Sequence, residues 1–574
     1  MRIGEIETLT GLSAGTIRYW EERGLVSFDR SGNSYRKIDS ETVRLLEKIK
    51  LFRELGVAVA DIKLWRDGLL SERDLLLSCL ARLEDDSRSN LGQREICEKM
   101  LAGEGILPAD RFDRVFSETV VHPGKLSLGV DIGTTTVSAK LVSLNDGATL
   151  HTYTIDHGAA LKFAEPDVFA ADAGKLLGLA LGLTSSAVAA YPEIVSIGFT
   201  GQMHGIVCLD RKGEILSPLY TWQNGFGLRK SGGVTICEKI KNLTGENIPT
   251  GYGIVTYYAL RELGLLPEGT VSVSCVADLA VARLCGLSKI LIHPTNAASL
   301  GFFDFAKNDF DRASLCALGI DRQALPKVAG DFVTAGYYKK IPVSVSIGDN
   351  QAGVFGSLSD DRDALLNVGT SGQISFISEK RELPTDDKCC EVRPYFDGKY
   401  LSSGSTLCGG RALAELARLI SEILSRFRLN PSKNEIYEYL NSEALRSEGT
   451  LHVSTLFAGS REEPEARGSV SGISPGSLTV AELSDGFVRG IVDELYNLFV
   501  RMGGECGRLV VSGNAMRKNP ALRRAAEERF GAEIFIPEQS EEAAFGAALY
   551  SAVSAGLSDS ENIKKLIKYR RTAK

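Results

Sequence analysis

Two distant stretches of this chain are built alike, and that likeness limits the folds open to it. "LSLGVDIGTTTVSAKLVSLND" runs as an apolar strand, an acid, a turn of glycine and threonine, and a second strand. "DALLNVGTSGQISFIS" repeats the order with Asn367 in the polar position and Gly369, Thr370 and Ser371 at the turn. A hairpin tip made of Gly133, Thr134 and Thr135 lets backbone N–H groups and hydroxyls approach phosphate oxygens, and Asp131 beside it is placed to hold a hydrated Mg²⁺. One such hairpin is a weak signal. A pair of them predicts a duplicated α/β fold with a nucleotide clamped between two lobes.

Phosphate chemistry needs a base, and "IPVSVSIGDNQAGVFGSL" offers one. A continuous apolar strand ends at Gly348, so Asp349 projects from the strand end into a following helix, where α/β folds collect ligand chemistry. A carboxylate there can take the proton of an attacking hydroxyl. The helix dipole is expected to keep its pKa low. Taken alone, the same aspartate reads more readily as a helix cap, and the neighbouring motifs reverse that reading.

The front of the chain has another character. In "TLTGLSAGTIRYWEERGLV" two short helical runs meet at Gly11, with Ile17 and Trp20 on one face of the second. This is a helix-turn-helix pattern, which sets Arg18 and Tyr19 toward the major groove. "SGNSYRKID" follows as a turn-rich hairpin that brings Tyr35 and Arg36 within reach of phosphates. A third helical stretch, "SETVRLLEKIKLFRELGVAVADIKLW", sets Val43, Leu46, Ile49 and Phe52 at core spacing. Up to Leu70 there are 12 Lys and Arg against 11 Asp and Glu, so any DNA contact is local. Leu76, Leu80 and Leu83 form a stripe in a helix-prone segment beyond it.

At 574 residues the chain exceeds what one core supports, and three structural units are expected. No uninterrupted apolar run reaches the roughly 18 to 20 residues that span a bilayer, and "MRIGEIETLT" lacks the apolar core of a signal peptide, so a cytoplasmic protein without membrane partners is expected. The 11 cysteines include no CxxC pair and read as buried or idle thiols, with Cys389 and Cys390 in a loop. The basic "KKLIKYRR" reads as a frayed, solvated end.

Two resemblances join these observations. The order "IGEIETLTGLSAGTIRYWEERGLV", "NSYRKID", "KLFRELGVAVADIK" resembles the winged DNA-binding domain of the MerR transcription regulators, with Ser34 where that family usually has glycine. The region from about Leu126 to Leu557 resembles the FGGY carbohydrate kinases, through "GVDIGTTT", "GFTGQMHGIVCLD", "TWQNG", "SIGDNQAG" with "NVGTSG", and "VVSGNAMRKNPALRRAAEERFGAEIFIPEQSEEAAFGAALYSA". It is most similar to the sedoheptulokinase branch, with "GQMHG" typical of xylulokinases.

The resemblance implies an actin-like, ribonuclease H-like ATPase fold in two lobes, using ATP and Mg²⁺ on a small sugar. It implies Asp349 as base, with Asn350 beside it, sugar contacts from Gln202, Met203 and His204, and Trp222 and Asn224 flanking the sugar. Gly409, Gly410, Gly513, Asn514 and Asn519 then form the adenosine pocket. The family form Trp-Gln-Asp-Gly-Arg is altered here: Asn224 and Phe226 replace the acid and the guanidinium, which changes the hydroxyls that can be held. The expected organisation is a helix-turn-helix domain at 1–70, a helical dimerisation segment and linker at 71–124, kinase lobes at 125–358 and 359–557, and the tail at 558–574. MerR-like proteins dimerise through a helix of this kind, so a homodimer on two-fold operator DNA is expected.

Overall fold

The computed structural model describes residues 124–384, 389–447, 449–463 and 465–571, and ahead of them residues 16–17, 20–21, 25–26, 29–30, 36–37, 40–54, 57, 59–66, 72 and 75–76. The chain divides into two compact units, Met1–Pro123 with Tyr153–Gly158, and Gly124–Thr152 with Ala159–Lys574.

In the front unit Ile17 and Trp20 are both buried, as a shared helical face requires, and Leu46, Ile49 and Phe52 are fully buried beside Leu25, Val26, Val57 and Ile62. Asp29–Arg30 pairs antiparallel with Arg36–Lys37, which gives the expected hairpin its frame. The stretch read as one helix is two, Ser40–Glu54 and Val59–Arg66. The second turns back on the first: Trp65 meets Phe52 edge-on at 5.1 Å, and Arg66 Nε donates to the Leu25 carbonyl at 3.1 Å. Arg18, Tyr19, Tyr35, Leu80, Leu83 and the side chains of Arg36 and Val43 lie outside the described residues, whereas Leu76 is buried.

The larger unit contains the duplication. In its first sheet Leu126–Ile132 pairs antiparallel with Thr136–Ser143 and parallel with Ile194–Gly201, beyond which lies Ile341–Ser344. In its second sheet Ala364–Val368 pairs antiparallel with Gly372–Ser378 and parallel with Leu509–Ser512, beyond which lies Ile534–Pro537. Hairpin and parallel partners recur in the same order, as the two Gly-Thr stretches predict.

The lobes are tied by helix Glu542–Ser554, which follows the second sheet in the chain yet packs across Leu126–Ile132 and Ile194–Gly201 of the first. This close approach requires glycine. A Cβ on Gly129 would stand 1.9 Å from the Ala544 carbonyl oxygen, and one on Gly546 would stand 1.9 Å from that of Ala352. The second contact pins this helix to Asp349–Phe355, the helix that begins with the candidate base.

Three expectations are corrected here. Tyr569–Arg571 pairs antiparallel with Ile534–Pro537, and the Tyr569 hydroxyl donates to the Ser357 carbonyl at 2.7 Å, so the basic end is an integral strand and not frayed. Cys390 opens a strand and is buried with Cys389, because the strand lies against the second-lobe core. Among the described helices one, Ala173–Ala190, is long and apolar enough to cross a membrane. Here it packs on both strands of the first hairpin, burying Leu176, Leu177, Ala180 and Leu183.

Candidate active site

Sheet register gathers the first group of site residues. Asp131 pairs with Thr200 and Ile132 with Gly201, while Ile347 and Gly348 pair with the same Thr200 and Gly201 from the other side. The carboxyl ends of three neighbouring parallel strands therefore carry Asp131, Gln202 and Asp349. Thr200 Oγ1 donates to the Ile347 carbonyl at 2.8 Å and fixes the spacing between the last two.

Burial governs both carboxylates. Asp131 is pushed up to about 8, first by desolvation and then by the neighbouring charges of Asp349 and Glu541, and its buried Oδ1 has no hydrogen-bond partner among the described residues. Asp349 is pushed up to about 6 by desolvation, against the pull of the Asn350 N–H, which donates to Oδ1 at 2.8 Å, and of the Arg393 charge. The expected low pKa for Asp349 is thus overturned. Gly348 is the cap residue, Asp349 is the first helical residue, and the cost of drying its carboxylate exceeds the gain from the helix end. A base poised near 6 is half-way to a neutral operating pH.

The sugar-side residues fall around this line. Gln202 Nε2 donates to the Gly133 carbonyl at 3.0 Å, leaving its buried Oε1 without a partner among the described residues. Met203 is buried, and its carbonyl accepts the Cys275 thiol at 3.3 Å. His204 Nδ1–H donates to the Ser299 carbonyl at 2.6 Å, and burial holds the ring's pKa down at about 4. The imidazole is therefore neutral at pH 7, with Nε2 as an acceptor. Trp222 is about half exposed, and its indole N–H donates to Thr134 Oγ1 at 3.2 Å, joining the sugar side to the first phosphate tip. Asn224 is fully buried: Oδ1 accepts the Phe226 N–H at 3.0 Å, and Nδ2 is left without a partner among the described residues. Phe226 packs inward under Arg229, whose guanidinium lies 4.4 Å from the ring centroid and binds Asp167 at 2.6 Å. Asn350 Nδ2 donates to Gln373 Oε1 at 2.6 Å, a bond between helix Asp349–Phe355 and the second hairpin.

The second group lies at one end of the other sheet. The hairpin tip carries Thr370 and Ser371 in the open, while its carbonyls accept from the next helix: Gly409 N–H to Thr370 at 2.9 Å and Gly410 N–H to Gly369 at 2.8 Å. A Cβ on Gly409 would fall 2.5 Å from the Ser371 carbonyl, so these glycines serve the approach of helix Gly410–Arg426 to the hairpin, whatever else they admit. Gly513 follows Ser512, the partner of Asn367, and Asn514 is exposed next to it. Asn519 is set apart from them by its role: it is buried and its Oδ1 caps helix Pro520–Phe530 by accepting the Leu522 N–H at 2.8 Å.

Sequence reading missed Tyr252, Glu391, Arg393 and Arg461, which cluster beside His204. Glu391 and Arg393 stand two apart on one strand and so share a face, and a charge pair at that spacing beside buried cysteines was the available signal.

Known proteins share this plan. Residues 126–356 match the N-terminal domain of the FGGY family of carbohydrate kinases, and residues 1–69 match the MerR HTH family regulatory protein. The sedoheptulokinase of Homo sapiens is 28% identical over 468 residues, covering 74% of this chain and 96% of its own. The xylulose kinase of Staphylococcus xylosus is 21% identical over 464 residues, covering 74% and 90%. In fold, the ligand-bound xylulose kinase from Lactobacillus acidophilus superposes with a TM-score of 0.68 at 18% identity, covering 78% of this chain and 93% of that one. By these matches, residues 126–356 are the N-terminal domain of an FGGY-family carbohydrate kinase, residues 1–69 are a MerR helix-turn-helix domain, and the second hairpin lobe follows the fold of such kinases.

Proposed function

We propose that the larger unit transfers the terminal phosphoryl group of ATP to a hydroxyl of a ketose or polyol, sedoheptulose-like or xylulose-like, in the cytoplasm. The observation that carries this reading is the convergence of Asp131, Gln202 and Asp349 at one sheet end, where Asp131 and Gln202 each keep a buried oxygen that has no partner among the described residues and that a ligand could satisfy. Gln202, Met203, His204, Trp222 and Asn224 hold the sugar, and Asn350 steadies the base. Asp349 takes the proton of the attacking hydroxyl as its oxygen bonds to phosphorus, and ADP leaves carrying the former bridging oxygen. Gly133, Thr134 and Thr135 face the phosphates from the first lobe, and Gly369, Thr370 and Ser371 from the second. Gly409, Gly410, Gly513 and Asn514 border the adenosine. The unpartnered Oδ1 of Asp131, in a field of two other carboxylates, suits a hydrated Mg²⁺, which when bound supplies positive charge to the phosphate oxygens. Acceptor-dependent ADP release, measured across C5 to C7 ketoses and polyols, tests the reading. Turnover with at least one is expected, and none with any would end it.

The front unit, in the same proposal, binds two-fold operator DNA as a homodimer, with Arg18 and Tyr19 near bases and Tyr35 and Arg36 near phosphates. Arg18→Ala is expected to cost about 1–3 kcal/mol and relax specificity, while Arg36→Ala weakens all sequences alike and lowers the salt slope by about one. A second reading makes the kinase unit mainly an effector domain for this dimer. Asn224 and Phe226 favour it, because both are turned into the protein where the family form has charged groups. Operator titrations with and without sugar, and sugar titrations with and without operator, decide it: coupling of about 5- to 150-fold is expected on both sides, and equal affinities throughout mean two independent functions.

A further inference from the structure

Every residue assigned above to the sugar belongs to the first lobe. The strand Cys390–Pro394 of the second lobe nevertheless brings two charged side chains to the same place. Its Pro394 carbonyl accepts from Gln351 Nε2 at 3.1 Å, two residues past Asp349, so the strand is fastened to the catalytic helix. Helix Pro294–Leu300, whose Ser299 carbonyl orients His204, packs on the same strand. Glu391 stands at the centre. It accepts Arg393 through Nε at 3.0 Å and Nη2 at 2.6 Å, Arg461 Nη1 at 2.6 Å, and the Tyr252 hydroxyl at 3.4 Å. The Tyr252 ring in turn lies 4.5 Å from the His204 ring.

Counting donors shows what is left over. Four donors occupy the two oxygens of Glu391, about the capacity of a carboxylate. Arg393 has given Nε and Nη2, and its Nη1 has no hydrogen-bond acceptor among the described residues. Nη1 is not a buried atom, so it is open to water or to a ligand acceptor. The Arg393 charge also lowers the pKa of both Asp349 and His204, so it acts on the candidate base and on a sugar-side residue alike. Nearby, Phe226 is turned inward and offers the sugar no charged donor.

We infer that Arg393, held by Glu391, donates through Nη1 to a hydroxyl of the acceptor and is a specificity-determining residue supplied by the second lobe. This rests on the kinase reading above. Sugar is thereby gripped by both lobes, and Tyr252 and Glu391 link its two walls. A planar donor fork favours an acceptor with a second oxygen near the reacting one, that is, a polyhydroxylic sugar over a simple alcohol.

The test pairs protein and sugar changes in the full chain. Sugar affinity is measured by calorimetry, and KM values for sugar and ATP by ADP release, for the unaltered protein, Arg393→Lys and Arg393→Gln. The best acceptor is compared with its monodeoxy analogues. For Arg393→Gln, sugar affinity and KM are expected to weaken about 10- to 100-fold, the loss typical of one hydrogen bond to a charged group, with the ATP KM unchanged and Arg393→Lys intermediate. One deoxy position should weaken binding to the unaltered protein and have no further effect in Arg393→Gln. Purely additive losses at every position would overturn the inference, as would equal losses for sugar and ATP. If Arg393→Gln fails to fold, Arg393→Lys and the same cycle decide. Calorimetry keeps this result apart from the kinase reading, which falls only if no acceptor is phosphorylated.

Discussion

The two hairpins are the same backbone put to different uses. Each has a polar residue one place before the end of its first strand, Asp131 in one lobe and Asn367 in the other, and each leans on a parallel strand at that residue, pairing with Thr200 and Ser512. Around Asp131 gather Asp349 and Glu541, and the pKa of its carboxyl rises to about 8. Asn367 is exposed, and its Oδ1 would stand 2.5 Å from a Cβ on Gly513. The first hairpin carries a carboxylate among other carboxylates, while the second offers backbone and small polar side chains. Duplication thus gives a shared phosphate geometry, and the substitutions after it divide chemistry from nucleotide binding.

That division is broken or upheld most sharply at Asp349. A general base typically contributes about 10²- to 10⁴-fold, so Asp349→Asn should lower turnover by that order and leave ATP affinity nearly unchanged. Stopped turnover together with lost ATP binding would mean that the first lobe does not act separately. The mirror experiment is Gly513→Ala. At φ +84, with Val368 O only 2.5 Å from the added Cβ, it should destabilise the second lobe by about 1–3 kcal/mol and raise the KM for ATP more than that for sugar. A sugar KM rising as much as the ATP KM would refute the division.

pH separates the lobes again. Asp349 must be ionised to accept a proton, and with its pKa pushed up to about 6, kcat/KM should fall tenfold per pH unit below that point. The sign runs from burial: the folded state disfavours the carboxylate, so the active form is lost as pH falls through about 6 instead of through the ordinary range near 4. ATP binding measured alone should lack this limb. An acid limb near 4 would show that the carboxylate is better solvated than its surroundings indicate.

These contrasts mark what the sequence made legible. The hairpins announced themselves because their pattern is local, and Asp349 because a strand end is visible as a run of apolar residues stopped by Gly348. Its pKa was not legible, since it is set first by burial in the folded protein and then, in the other direction, by the Arg393 charge, which is distant in the chain. Gly409 and Gly410 read as space for a purine, but their nearest neighbours are Ser371 and Gly369, a packing that only the folded hairpin reveals. The basic end looked solvated by composition, yet its Lys564 pairs with Asp361 across the fold. Glu391 and Arg393 come to His204 from the other lobe, a juxtaposition no spacing encodes.

The smallest expected effect lies at Trp222, which with Gln202 joins the first phosphate tip to the sugar side. Trp222 is about half exposed, and its indole N–H donates to Thr134 Oγ1 at 3.2 Å. Trp222→Phe keeps an aromatic face for a sugar ring and removes only that bond. A neutral hydrogen bond at an exposed site is worth about 0.5–1.5 kcal/mol, so kcat/KM should fall about 2- to 10-fold. If the bond serves only to hold the indole against the sugar, the whole loss should appear in the sugar KM. If it also orders the tip, Thr134→Val should give the same loss in unaltered protein and none in Trp222→Phe, with the ATP KM rising in both. Additive losses from the two changes would mean that tip and sugar wall act independently, and would confine the coupling between them to the shared strand ends.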